Sequence, residues 1–238
     1  NSLDEVDGKN YLAVSKRLIH FSASGLAGVW AEENTREAIY DAFRRKETFA
    51  TSGPRIKIRF FAGYDLEKSN LDDFNLLEDL YAKSIPMGGT LNLEISKNPR
   101  FLVWAIADSL GAPLQRIQII KGWLEDGEQK EKVFDVACSD GLSVDSSTNR
   151  CPDNGARVDL KDCSISANSG DMEIKTFWQD PEFIQGQEAF YYSRVLENPV
   201  CRWSTWDAVR AGEKPRSDIP VTIQERAWSS PIWLNSTL

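Results

Sequence analysis

Histidine is nearly absent from this 238-residue chain, where His20 stands alone. A Ser-His-Asp or Cys-His catalyst would have to be built on it. No nucleophile motif of the G-x-S-x-G kind lies nearby, so His20 reads as a structural residue. The same scarcity excludes H-x-H and HExxH metal motifs, and neither a P-loop nor a dinucleotide fingerprint occurs. No apolar run approaches the ~18 residues of a membrane-spanning helix. Basic residues are outnumbered, 28 against 36 acidic ones. The net charge of -8 and pI near 4.9 argue against nucleic acid or an anionic membrane as the main partner. The longest basic block is only Arg44-Arg45-Lys46. An initiator Met and a signal peptide are also missing, so the expectation is a trimmed precursor or a piece of something larger.

What is present suits a folded protein. Hydrophobic residues make up 41% and charged ones 27%, enough for one large domain, or one domain and part of another. From RIKIRFF (55–61) onward, strand-like stretches follow one another. Ile56, Ile58 and Phe60 alternate with Arg55, Lys57 and Arg59, and TLNLEI alternates Leu91, Leu93 and Ile95. FLVWAIA is a continuous apolar run suited to a sheet centre. LQRIQIIKG, EKVFDVA, MEIKTFW, EAFYYSRVL and IQERAWSSPIW supply further strands. The fold class expected is mainly β (α+β overall), an antiparallel β-sandwich over 54–238.

Helical signals are fewer. Asn34-Thr35-Arg36-Glu37 has the form of a capping box, with Asn34 as cap. Ile39, Ala42 and Phe43 then form an apolar stripe, and Thr51-Ser52-Gly53-Pro54 ends the helix. Short helices are expected at Tyr11–Ile19 and within residues 66–83.

The four cysteines, Cys138, Cys151, Cys163 and Cys201, include no CxxC pair. An even count in loop-like sequence reads as two disulfides and an oxidising compartment. MEIKTFW and EAFYYSRVL are expected to pair as a hairpin about residues 181–187. That would bring Cys163 towards Cys201 and leave Cys138 with Cys151, although three connectivities remain open.

Several residues carry candidate chemistry. Glu32 and Glu33 precede the first long helix, and Asp41 and Glu47 are placed within it. Paired carboxylates do acid–base work or hold a metal, and they also complement a helix dipole. Asp145, Asn149, Asp153 and Asn154 are hard oxygen donors, but without EF-hand spacing; Asx-turns account for them equally. Trp203, Trp206, Trp228 and Trp233, with Arg202 and Arg210 nearby, suit a platform for sugar rings or another flat ligand, or the filling of cores and domain interfaces. On residues alone the chain holds no complete active site.

SGLAGVWAEENTREAIYDAFRRKETFATSGPRIKIRFFAGYD resembles a segment of the bacterial domain of unknown function 3604 family. So do PMGG, LGAPLQRIQIIKGW, FYYSRVLENPVCRWSTWDA and IQERAWSSPIW, in order along residues 22–233. That family resembles the polymerase and histidinol phosphatase superfamily of metallohydrolases. There a β/α barrel binds two or three metal ions through H-x-H and D-x-H motifs that precede the matching segment. The resemblance implies that residues 1–53 are the α-rich C-terminal edge of such a barrel and residues 54–238 a separate sandwich. It implies a metal-dependent hydrolase, acting on phosphate esters, of which this chain alone is inactive. Divalent metal belongs to the complete protein; no metal ligand and no cofactor carries over here. Glu32, Glu33 and Arg36 would line the rim of the site. The implied partners are the missing N-terminal barrel and a small-molecule substrate, with no nucleic acid and no membrane span. A homo-oligomer is expected from an exposed apolar face of Trp30, Ile39 and Phe43, and the location is periplasmic or secreted. The alternative is a non-catalytic extracytoplasmic binding or interaction module.

Overall fold

The computed structural model describes residues 3–12, 21, 24–67, 71 and 73–236. β1 (Leu3–Val6) and β2 (Lys9–Leu12) pair with each other alone. Then come β3 (Leu26–Val29), α1 (Arg36–Arg44), β4 (Thr48–Thr51) and β5 (Lys57–Gly63). α2 (Leu76–Lys83), β6 (Ile85–Pro86), β7 (Thr90–Leu93), β8 (Arg100–Ile106), β9 (Leu114–Glu125) and β10 (Glu128–Cys138) follow. The second half holds β11 (Val158–Asp159), β12 (Ser164–Ile165), β13 (Glu173–Gln179), β14 (Ala189–Glu197) and β15 (Val200–Cys201). α3 (Trp203–Arg210), β16 (Thr222–Ile223), β17 (Arg226–Ser229) and β18 (Ile232–Ser236) complete the order.

Two sheets form the body. The larger runs β10-β9-β14-β17-β4-β3, with β18 joining β14 and also pairing β7; the smaller runs β13-β8-β5-β6. The pairings are antiparallel except β18 with β7. Period-two alternation sends Ile117, Ile119, Tyr191, Val195, Ile232 and Leu234 inward from the large sheet. Ile58, Phe60, Phe101, Val103 and Ile174 meet them from the small one. Phe101 sits at the join, its ring 4.5 Å from Tyr191 and 5.7 Å from Phe60. Burying such a side chain contributes roughly 2 kcal/mol, and truncating Phe101 to Ala costs about 3–5 kcal/mol. FLVWAIA is apolar because β8 is covered on both faces over most of its length, Trp104 being half-buried and Ile106 exposed. Phe101, Val103 and Ala105 face the sandwich core, while Leu102 packs with Phe61 against Leu76 and Leu80 of α2.

The expected break at 53/54 does not separate two units. β3 and β4 belong to the large sheet: Thr51 pairs with Ala227, and Gly28 pairs with Phe49. Nor is this part α-rich, since its described residues hold four strands and one helix. Helix α1 is shorter than expected. Its N-cap is Thr35, not Asn34, and the Thr35 Oγ1 accepts from the Ala38 N–H at 3.3 Å. It stops at Arg45; Lys46 then adopts a left-handed φ of 59°, and Thr48–Thr51 is strand rather than helix. Glu47 therefore lies beyond the helix.

Two further expectations are corrected. β13 and β14 are not a hairpin, because β13 pairs with β8 and β14 with β9, β17 and β18. Residues 180–188 cross from one sheet to the other. Tyr11 and Leu12 lie in a strand, and residues 13–19 of the expected helix lie outside the described residues. Trp30 is half-buried against the core and donates through Nε1 to the Ile58 carbonyl at 2.8 Å, so it is not part of an open apolar face.

Candidate functional site

The turn between α1 and β4, the end of β3, strand β5 and helix α2 converge on a recess of about 370 Å³. β5 places Arg59 on its outer face, as the alternation requires. The Trp30 ring and α2 enclose that face: the Arg59 guanidinium lies 3.5 Å from the Trp30 ring centroid. Arg59 Nη1 donates to the Tyr81 hydroxyl at 2.6 Å, and that hydroxyl donates to the Glu47 carboxylate. Glu47 is only 3% exposed, and Arg45 forms an ion pair with it at 3.6 Å. Burial, reinforced by the bond to Glu47, pushes the Tyr81 phenol up to about 12. Tyr81 thus stays a neutral donor at physiological pH. Two guanidinium groups stand beside one enclosed carboxylate, an arrangement suited to holding an anionic oxygen.

A second recess, about 400 Å³, adjoins the first through Glu32 and Arg45. Glu32, Glu33, Glu37 and Asp41 line it. The structure therefore brings Glu32 and Glu33 together, while Arg36 is exposed and lines neither recess. Sequence reasoning missed Arg59 and Tyr81. Arg59 has the signature of a solvent-facing strand residue and Tyr81 sits in an acidic helix, so no spacing signal joins them to Glu47.

The family described as "Protein of unknown function (DUF3604)" matches residues 2–236. The chain belongs to this family. Neither a curated protein nor a solved structure matches it.

In this DUF3604 member the remaining candidates are dispersed. Asp145 accepts from the Ser147 N–H at 2.8 Å and from its hydroxyl at 2.6 Å, as in an Asx-turn. Asp153 is bound by Arg157 at 2.7 Å, which with the Gly155 N–H holds its carboxyl down at about 2. The Asn154 amide donates to Asp140 and Asn198. Among the described residues no group of three or more His, Cys, Asp or Glu converges to hold a metal ion. His20 lies outside the described residues.

The tryptophans do not form one platform. Trp203 and Trp206 ride on α3, with Arg210 5.0 Å from the Trp206 ring, whereas Trp228 and Trp233 belong to β17 and β18. Arg202 is buried and donates to the Phe21 carbonyl. Disulfides join Cys138 to Cys151 and Cys163 to Cys201, consistent with an oxidising compartment. No helix among the described residues is long and apolar enough to cross a membrane.

Proposed function

We propose that this chain is the sandwich portion of a metal-dependent hydrolase of phosphate esters, periplasmic or secreted. On this reading the metal ligands lie outside the chain, and the 238 residues alone carry no turnover. The observation that carries the reading is the recess in which Arg45, Arg59 and Tyr81 surround Glu47. Most of its lining, Trp30, Ala31, Glu32, Arg45 and Glu47, comes from the segment that the family resemblance would set beside a metallohydrolase barrel. The arginines would orient an anionic ester, with Tyr81 holding Arg59 and Glu47 in place. No chemical step is assigned to a residue of this chain.

The test is to purify the complete gene product, measure its bound divalent metal and assay p-nitrophenyl phosphate and bis(p-nitrophenyl) phosphate. Stoichiometric metal, turnover abolished by chelation, and inactivity of the 238-residue chain are expected. Arg59→Ala in the complete protein should lower kcat/KM about tenfold or more with metal content unchanged. A complete protein that binds no metal, or that hydrolyses neither ester, would remove the hydrolase reading. The second reading, a binding module without chemistry, draws support from an aromatic groove on the outer face of the large sheet.

A further inference from the structure

That groove lies on the opposite side of the molecule's main sheet from the core. Tyr191, Ile232, Leu234 and Ile119 point inward, so their strand neighbours Phe190, Trp233 and Gly122 occupy the outer face. The register sets Glu131, Gly122, Phe190 and Trp233 side by side on β10, β9, β14 and β18. Gly122 decides the shape of this row. A Cβ there would fall 2.3 Å from Cζ of Phe190, so only glycine lets that ring lie down over β9. Trp233 stands beside it, ring centroids 5.2 Å apart and planes at 49°, and remains 44% exposed. Tyr192, next along the same face of β14, lies nearly parallel to Phe190 with ring centroids 6.4 Å apart.

The hollow above these rings holds about 950 Å³, at the upper end of the range for small-molecule sites. Its edges are polar: Gln129 and Glu131 on one side, Gln187 and Glu188 at the start of β14, and Asn235 beyond Trp233. Lys130, the cation of the lining, is engaged with Glu128 at 2.5 Å.

These features together select a ligand chemistry. Exposed aromatic faces carry negative π density and attract the polarised C–H groups of a saturated ring. Amide side chains both donate and accept, which matches vicinal hydroxyls. Two carboxylates on the rim and a net charge of -8 oppose a phosphate or another anion. A purely apolar ligand would leave the amides unpaired. We infer that the groove is a carbohydrate site: the rings of a neutral oligosaccharide stack on Trp233 and Phe190, and Gln129, Gln187 and Asn235 bond its hydroxyls. This inference is independent of the recess around Glu47 and of any hydrolase activity.

Calorimetric titration of the whole chain with cellohexaose, xylohexaose, maltohexaose and laminarihexaose tests it. At least one should bind. Trp233→Ala should weaken that binding about tenfold or more while leaving the unfolding midpoint in place, because the side chain is exposed. Asn235→Ala, also exposed, provides a second variant and should weaken binding with an unchanged fold. Absence of binding by all four probes overturns the proposal, as does undiminished binding by both variants. Tighter binding of an acidic oligogalacturonide overturns its neutral-ligand part. Self-association in sedimentation velocity that is lost with Trp233→Ala overturns it in favour of an interface between copies of this chain.

Discussion

The Lys121 ammonium lies 2.8 Å from the Asp180 carboxylate, and the two side chains are only 4% and 1% exposed. The pair ties β9 of the large sheet to the segment leaving β13 of the small one. Both partners are bonded further: Asp180 also accepts from the Tyr191 hydroxyl at 2.7 Å and the Glu182 N–H at 2.8 Å, and Lys121 donates to the Glu182 carbonyl. The Tyr191 phenol is pushed far up by burial and by the Asp180 charge beside it, so it remains a donor. A buried pair bonded in this way contributes little net stability over an apolar pair, but removing one charge strands the other. Asp180→Asn should therefore cost about 3–5 kcal/mol in urea unfolding. The double variant Lys121→Met with Asp180→Asn should cost less than that single change. A loss below about 1 kcal/mol for Asp180→Asn would mean that Lys121 is not stranded, and the account would fail.

Glu197, at the end of β14, predicts a pH dependence. It is 1% exposed, and its Oε1 has no hydrogen-bond partner among the described residues. Burial, partly opposed by the Ala112 N–H and helped by the Glu225 and Asp108 charges, pushes its carboxyl up to about 8 from 4.5. Below about pH 4.5 both the folded and the unfolded chain hold the proton, and this contribution to stability is complete. Between about 4.5 and 8 only the folded chain holds it. Stability then falls as pH rises, by up to about 1.4 kcal/mol per pH unit, and the loss levels off above that window. Unfolding free energies of the wild type and of Glu197→Gln, compared across this range, should diverge in slope. Parallel curves would show that Glu197 does not carry the proton.

The sandwich was legible because its strands obey period two: Ile58 and Phe60 inward, Lys57 and Arg59 outward. Burial of β8 on both faces likewise shows in the unbroken apolar run of FLVWAIA. Sheet membership was not legible. Alternation says which way a side chain points but not which sheet its strand joins, so β13 and β14 looked like a hairpin. In the fold Trp178 and Tyr191 face each other across the core instead, 6.3 Å between ring centroids. The incorporation of residues 26–51 into the large sheet rests on long-range pairing of β4 with β17, to which local propensity is blind. The recess was invisible for a related reason: Glu47, Arg59 and Tyr81 come from three elements, and only tertiary packing makes them neighbours.

The displaced helix cap offers a small and direct check. Thr35 has extended backbone angles and supplies the oxygen that receives the Ala38 N–H, while Asn34 makes no such bond. Loss of a capping side chain costs about 1 kcal/mol. Thr35→Ala should lower stability by that amount, and Asn34→Ala should have a much smaller effect. The reverse order, read from paired unfolding curves, would restore Asn34 as the cap.

The two disulfides should contribute unequally. Cys138–Cys151 spans 13 positions and Cys163–Cys201 spans 38. The chain-entropy argument gives roughly 3 kcal/mol for the shorter closure and roughly 4 kcal/mol for the longer. Local bonding widens the difference. The turn closed by Cys138–Cys151 is already held by the Cys151 N–H to Asp135 at 2.8 Å and by the Asp135 N–H to the Asn149 carbonyl at 3.0 Å. Cys163 and Cys201 are buried at 4% and 5%, and their bond anchors the β12 segment to β15, ahead of α3. Replacing both cysteines of the longer bridge with alanine should therefore lower the urea midpoint more than replacing both of the shorter. A larger loss from the Cys138–Cys151 pair would mean that strain or residual structure in the unfolded chain, rather than loop length, governs what these bridges contribute.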